Sequence, residues 1–268
     1  MSFALQKKLA VQPLTEPIAP SPVVDPSPFD LPGRGRAAAL CLHGLTGTPY
    51  EVRSLAEAIS AAGIRAVGPA LPGHNETPER LAATSYTDWL EAAREEFHRL
   101  REDCRSVFIV GISMGGLLAL ALAEEEPVDA LAVIGTPLVL RQPFAWLIPL
   151  AKYLRPMSPK PQGSDIRDPA ARARHPGYRV MPLSSVHELQ CLQRRVRPRL
   201  ARIHAPILVA HGGHDRTASP QDAVEIRDSV SSEIRESLLL AASGHIVPVD
   251  FDGPALAQAV AAFLTRHA

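Results

Sequence analysis

Three residues in this chain have side chains that nucleophilic catalysis needs, and each stands in a context that suits it: Ser113, Asp215 and His245. The run VFIVGISMGGLLALALA holds G-I-S-M-G at 111–115, an apolar strand-like stretch passing directly into a helix-forming one. A sharp turn at such a junction forces the serine backbone into a strained conformation and lifts its hydroxyl clear of the sheet. The neighbours must then be small, which Gly111, Gly115 and Gly116 satisfy. The following helix aims its first amides at the place where an oxyanion would form. The plain alternative is a glycine-rich turn with a serine cap. The strand before and the helix after favour the nucleophile.

A serine hydroxyl needs a base beside it and a third group to fix the imidazole tautomer. Ten histidines compete for that role. His245, in AASGHIVPVD, follows the last apolar strand and precedes the last helix, while Asp215, in AHGGHDRTASP, follows the strand before it. Both loops then open at the sheet edge that carries Ser113. His211 and His214 flank Asp215 and would leave His245 without a task. Asp129 stands at the start of a strand, the wrong end of the sheet. Asp250 is a candidate brace for the His245 loop, with a helix-entry role as its equal.

The segment C-L-H-G-L-T-G-T-P at 41–49 follows the first clear strand. A turn there presents the Leu45 amide as an oxyanion donor, paired with the amide of Met114, the residue after the nucleophile. Gly44 and Gly47 let the loop bend close. His43 reads as a buried histidine bonded to the loop backbone rather than as the base. HGGHD offers two histidines on a glycine-rich loop with no third ligand nearby, which makes it a poor metal site, and HGLTG lacks the lysine and spacing of a phosphate loop.

Positioning these groups requires a particular scaffold. Short apolar runs at 37–42, 64–71, 107–112, 129–135, 206–212 and 237–242 suit strands of a parallel sheet buried on both faces. Between them, 50–62, 86–101, 114–126, 219–230 and 254–267 carry helical spacing of apolar residues. Alternating strand and helix predicts an α/β class with a mostly parallel central sheet flanked by helices. The stretch 137–199 is far too long for a loop. It begins apolar (PLVLRQPFAWLIPL), becomes basic and proline-rich, and ends in a run with helical spacing, LSSVHELQCLQRRV. It reads as an inserted cap over the C-terminal sheet edge. The proposed organisation is therefore an irregular arm or short edge strand at 1–30, a core at 31–136 and 200–268, and a cap at 137–199.

The chain has 268 residues, 46% of them hydrophobic, with 28 basic and 28 acidic side chains. That balance argues against nucleic acid as a partner. The start lacks the apolar segment of a signal peptide and no run suits a membrane-spanning helix, so a cytoplasmic setting without stable membrane insertion is expected. The three cysteines, Cys41, Cys104 and Cys191, are odd in number and far apart, against a disulfide framework. Oligomeric state is not legible.

LCLHGLTGTPYEVRSLAEAI, PALPGHNETP, YTDWLEAAREEF, VGISMGG, ILVAHGGHDRTASP and SGHIVPVD together resemble the bacterial carboxylesterase and monoacylglycerol-lipase-like branch of the α/β-hydrolase fold, from about Phe29 to the C-terminus. The order Ser, Asp, His agrees with that fold. The resemblance implies hydrolysis of short- to medium-chain carboxylic esters or monoacylglycerols, with Ser113, Asp215 and His245 as triad and Leu45 and Met114 as oxyanion donors. It implies a small-molecule ester as partner and no cofactor. Leu138, Trp146 and Ile148 in the cap, and Ile246 beside His245, are the candidate substrate-binding residues, with packing of the cap on the core as the equal alternative for the cap residues. The dense arginines from Arg167 to Arg202 read first as a solvated surface, and second as an attraction for anionic substrates or lipid. Two other classes stay open: thioester or carbon–carbon bond hydrolysis by the same triad, and a non-catalytic binding protein, whose sign would be a missing triad member.

Overall fold

Residues 24–141 and 143–268 are described by the computed structural model. In chain order they form β1 (Phe29–Leu31), β2 (Ala37–Leu42), α1 (Tyr50–Ala61), β3 (Arg65–Gly68), α2 (Pro78–Ala82), α3 (Tyr86–Asp103), β4 (Ser106–Ile112), α4 (Met114–Ala123) and β5 (Ala130–Ile134). The long segment that follows carries α5 (Ile148–Leu154), β6 (Met157–Pro159), α6 (Pro169–Arg174), β7 (Val180–Pro182) and α7 (Leu183–Val196). The chain then returns to the sheet with β8 (Ile207–Gly212), α8 (Pro220–Ser229), β9 (Arg235–Leu240) and α9 (Gly253–Thr265).

Seven strands make one sheet in the order β1-β3-β2-β4-β5-β8-β9. β1 runs antiparallel to β3. The other pairings are parallel. The uninterrupted apolar runs explain this: every residue of β2, β5 and β8 is buried, so these strands need helices on both sides. The period of two divides β4 between two cores. Val107 and Ile109 join Trp89, Phe97 and Leu117 on the α3–α4 side, while Phe108, Val110 and Ile112 join Ile59 and Phe263 on the α1–α9 side. α3 starts in a capping box, Ser85 accepting from the Asp88 amide and Asp88 from that of Ser85. α4 is buried along its whole length, as its unbroken apolar sequence requires.

At the sheet edges one open reading is decided and another shifts. The segment through residue 30, read as an irregular arm or a short edge strand, ends in an edge strand: Phe29 pairs with Gly68 and Leu31 with Ala66. The ring of Phe29 fills the space over Gly68, where an added Cβ would lie 2.3 Å from it. Residues 1–23 of that arm lie outside the described residues. The last strand begins two positions earlier than its apolar run suggests, at Arg235, and its burial alternates, with Leu239 65% exposed. An end strand has one neighbour and turns half of its side chains to solvent.

The segment between β5 and β8 is joined to itself by the antiparallel β6–β7 ribbon. The helix read from LSSVHELQCLQRRV is α7, at 183–196. Among the described residues, no helix is long and apolar enough to cross a membrane.

Candidate active site

Ser113 stands where β4 passes into α4, with φ 54° and ψ −116°. This backbone region is costly for a side-chain-bearing residue and is held by what surrounds it. The Ser113 amide donates to the Ile134 carbonyl at 2.8 Å. The start of α4 presses on the sheet so closely that a Cβ at Gly115 would sit 2.2 Å from the Leu42 carbonyl oxygen.

His245 reaches Ser113 from the loop after β9, its Nε2 2.8 Å from the Ser113 Oγ. Its Nδ1 lies 2.8 Å from Oδ2 of Asp215, which comes from the loop after β8. The other Asp215 oxygen accepts the Thr217 and Ala218 amides, both at 2.8 Å. His211 Nε2 is 3.2 Å from Oδ2. Burial disfavours the Asp215 charge, but His245, His211 and the Ala218 amide outweigh it and hold the carboxyl well below the usual range. Burial likewise opposes protonation of His245, and Asp215 again prevails, so the His245 pKa stands above the ordinary histidine value.

The loop bearing His245 is tied down by groups the sequence only partly signalled. Asp250 accepts from the amides of Gly244 (2.8 Å), Arg167 (2.7 Å), Asp168 (2.9 Å) and Phe251 (2.9 Å), which makes it the brace of this loop. The Asp165 carbonyl accepts the amides of His245 at 2.9 Å and Ile246 at 3.2 Å. The Asp165 carboxylate accepts the Arg216 amide at 2.8 Å and two bonds from the Arg216 guanidinium. Asp165 therefore joins the segment between β5 and β8 to both loops. No motif marks it.

The Leu45 and Met114 amides make no hydrogen bond to protein among the described residues, and the loop after β2 that carries Leu45 is fixed by other contacts. Its Gly44 amide donates to Glu51 Oε2 at 2.8 Å. His43 accepts the Leu71 amide on Nε2 at 3.2 Å, so its proton is on Nδ1, which donates to the Gly44 carbonyl at 3.0 Å. His43 is thus a buried, backbone-bonded residue, and burial lowers its pKa.

Glu51 was not foreseen. It sits in the first turn of α1 on the face that carries Val52 and Leu55, where a charged residue breaks the apolar pattern. Its Oε1 is 3.0 Å from His175 Nε2. His175 Nδ1 accepts the Gly177 amide at 3.2 Å and lies 2.9 Å from the Ser164 hydroxyl. Burial opposes the Glu51 charge, but His175, His43 and the Gly44 amide bring its pKa down to about 2.

A cavity of about 280 Å³ opens onto Ser113 and His245. Ile148 and Ile246 line it, with Leu140, Met181, Val186 and Leu189 completing an apolar wall. Leu138 and Trp146 do not. Leu138 is buried in the core, with its amide on Asp222 Oδ2 at 3.0 Å, and Trp146 is 75% exposed. Both border a separate surface groove with Gln190 and Arg197. Apolar character alone could not tell core, cavity and surface apart in that stretch. One mixed group of metal-ligand types occurs among the described residues, His187, Glu188 and Cys191 on α7. It is outside the cavity, Glu188 already accepts the Tyr86 amide, and the Arg194 guanidinium lies 3.1 Å from Cys191 Sγ, which opposes a cation there.

The fold and the site define a class: a serine hydrolase of the α/β-hydrolase fold, acting on carboxylic ester bonds. Residues 33–250 match the family model described as "Serine aminopeptidase, S33", and the chain belongs to that family. It is 31% identical over 238 residues to a thermostable monoacylglycerol lipase from Bacillus sp. strain H-257, covering 87% of this chain and 92% of that one. It is 26% identical to a carboxylesterase of Bacillus subtilis strain 168, over 91% of this chain and 98% of that one. A solved structure from work on LipS and LipT, two metagenome-derived lipolytic enzymes, superposes with a TM-score of 0.85 at 27% identity, covering 94% of this chain and all of the other.

Proposed function

We propose that this protein is a carboxylesterase that cleaves short- to medium-chain acyl esters or monoacylglycerols through a Ser113–His245–Asp215 triad and an acyl-enzyme intermediate. The observation that carries the proposal is the unbroken chain from Ser113 Oγ to His245 Nε2, and from His245 Nδ1 to Asp215, at 2.8 Å in each link. His245 takes the Ser113 proton as Oγ attacks the ester carbonyl. The Leu45 and Met114 amides receive the oxyanion. The protonated His245 then gives its proton to the departing alcohol, and water, activated by the same imidazole, releases the acid. Each oxyanion donor contributes about 2.7–4 kcal/mol by analogy with measured cases.

The cavity volume sits near the small end of ligand pockets, ~300–1,000 Å³, which favours short and medium acyl chains over long ones. Residues 137–199 serve in this proposal as the cap, since Ile148, Met181, Val186 and Leu189 come from them. The named activities of the two Bacillus relatives point the same way. Cleavage of a peptide from its free amino end is the less favoured activity. It would need an acceptor for the substrate ammonium, and the two carboxylates lining the cavity, Glu51 and Asp165, already hold donors.

The test is turnover of p-nitrophenyl esters of increasing acyl length, alongside a monoacylglycerol and an aminoacyl p-nitroanilide. Ester hydrolysis with a maximum at short or medium chains is expected, with covalent labelling by a fluorophosphonate that Ser113→Ala abolishes. Equal labelling of Ser113→Ala, or cleavage of the anilide alone, would overturn the proposal.

A further inference from the structure

The cavity beside Ser113 has a lining of two kinds. The apolar one is supplied by Leu140, Ile148, Met181, Val186, Leu189 and Ile246. The other is polar and includes Thr46, Glu51, Lys160 and Ser164. Thr46 immediately follows Leu45, so the polar lining begins one residue from the amide assigned to the oxyanion. Lys160, at the end of the β6–β7 ribbon, places Nζ 3.0 Å from Thr46 Oγ1. Its backbone amide donates to the Arg179 carbonyl at 2.8 Å, and the Thr46 carbonyl in turn accepts the Tyr178 amide at 3.0 Å. The ammonium is thus held by a short, bonded stretch of chain.

An ammonium has three N–H donors, and among the described residues Thr46 is the one hydrogen-bond partner of Lys160 Nζ. No carboxylate lies within ion-pair distance of it among the described residues, although two line the same cavity. Glu51 has both oxygens engaged, by the Gly44 amide and by His175. Asp165 is paired with Arg216 at 3.0 Å. A partly desolvated cation with spare donors, facing an open cavity, is an incomplete arrangement that an incoming anion would complete. Burial disfavours the charged form of Lys160, and the nearby Glu51 charge works in the opposite sense.

We infer that Lys160 Nζ, beside Thr46, binds an anionic oxygen, such as that of a carboxylate or phosphate, carried by the ester substrate. This narrows the substrate class of the proposed esterase and rests on that proposal. The apolar lining takes the hydrocarbon portion and the polar lining at Lys160 takes the charged end.

The experiment compares kcat/KM for mono-p-nitrophenyl glutarate, an anion, with that for neutral p-nitrophenyl hexanoate, in the wild type, Lys160→Met and Lys160→Arg. A second arm compares 1-butyryl-glycerol 3-phosphate with monobutyrin, which moves the charge to the alcohol side. In at least one arm the ratio of anionic to neutral ester should fall about tenfold or more in Lys160→Met, the size expected for one charge-assisted hydrogen bond, and be largely kept in Lys160→Arg. Free glutarate, or glycerol 3-phosphate where the charge lies on the alcohol side, should also compete with the hexanoate ester in the wild type, a readout that survives if Lys160→Met fails to fold. Unchanged ratios in both arms, or no inhibition by either anion, would overturn the Lys160 assignment while leaving ester hydrolysis standing. A wild type that cleaves none of these esters overturns both.

Discussion

At the scale of single residues, His245 must be neutral to act as base. Burial favours the neutral form, but Asp215 overrides it and the net displacement is upward. Activity should therefore fall as pH drops through a value above ~6.5, the ordinary histidine midpoint. Asp215→Asn keeps the shape and removes the charge. It should move that acid limb to lower pH and reduce kcat by roughly 10³–10⁴-fold. A limb that stays in place in a folded Asp215→Asn enzyme would mean that another acid sets the His245 pKa. Glu51 makes a second case, because its role is to hold others. Glu51→Ala leaves the Gly44 amide and His175 Nε2 without their partner in a buried place. The expected loss is about 3 kcal/mol, read as a lowered urea midpoint, with a drop in kcat because the loop that presents Leu45 is no longer tied.

At the scale of elements, the loop after β9 shows what was legible and what was not. Its histidine could be placed from the sequence because a strand run, a short loop and a helix follow one another at 237–267. Its brace could not be settled, since Asp250 is equally a helix-entry residue until its four amide donors are seen. Asp250→Ala should cost about 3 kcal/mol and speed amide exchange at Gly244 and Arg167, whose donors it accepts. Unchanged exchange at both amides would mean that the loop is held by its other bonds, those to the Asp165 carbonyl and the Asp252 carboxylate. The sheet strands were legible because uninterrupted apolar runs have few other uses. Between β5 and β8, α7 was legible from its apolar spacing but the other pieces were not, because contacts with the core define them: Lys160 on Thr46, His175 on Glu51, Asp165 on Arg216. None of these pairs has a periodic signature. The junction of β4 and α4 was legible for the opposite reason, since its glycines answer to backbone packing. A Cβ at Gly115 would meet the Leu42 carbonyl at 2.2 Å, so Gly115→Ala should displace α4, abolish fluorophosphonate labelling and lower the thermal midpoint.

At the scale of the whole molecule, buried carboxylates of opposite behaviour shape how stability responds to pH. Glu51 is held ionised, its pKa brought from 4.5 to about 2. A carboxyl depressed in the fold contributes stability that is present above its unfolded pKa and lost as pH falls through the folded one. Asp250 is displaced in the same direction: burial opposes its charge, and the amides of Arg167, Gly244 and Asp168 prevail. Glu124, at the end of α4, does the reverse. Burial pushes its pKa from 4.5 up to about 7, against the pull of Arg195. The nearest Arg195 nitrogen is 3.5 Å from its Oε2, and its Oε1 has no hydrogen-bond partner among the described residues. Its contribution is complete below the unfolded pKa and disappears as pH rises toward 7, because folding then confines a charge that water would solvate better. The neutral amides Glu51→Gln and Glu124→Gln should therefore tilt the profile in opposite senses. Measured by urea unfolding from pH ~2 to ~8, Glu124→Gln should gain on the wild type as pH rises from ~4.5 to ~7, while Glu51→Gln should lose ground as pH rises from ~2 to ~4.5 and run parallel above that. Arg195 keeps Glu125 as an ion-pair partner at 2.5 Å in the first variant, so the gain is not masked by an orphaned guanidinium. Parallel profiles for Glu124→Gln and the wild type would show that Glu124 meets water in the fold and that the end of α4 is more open than its packing indicates.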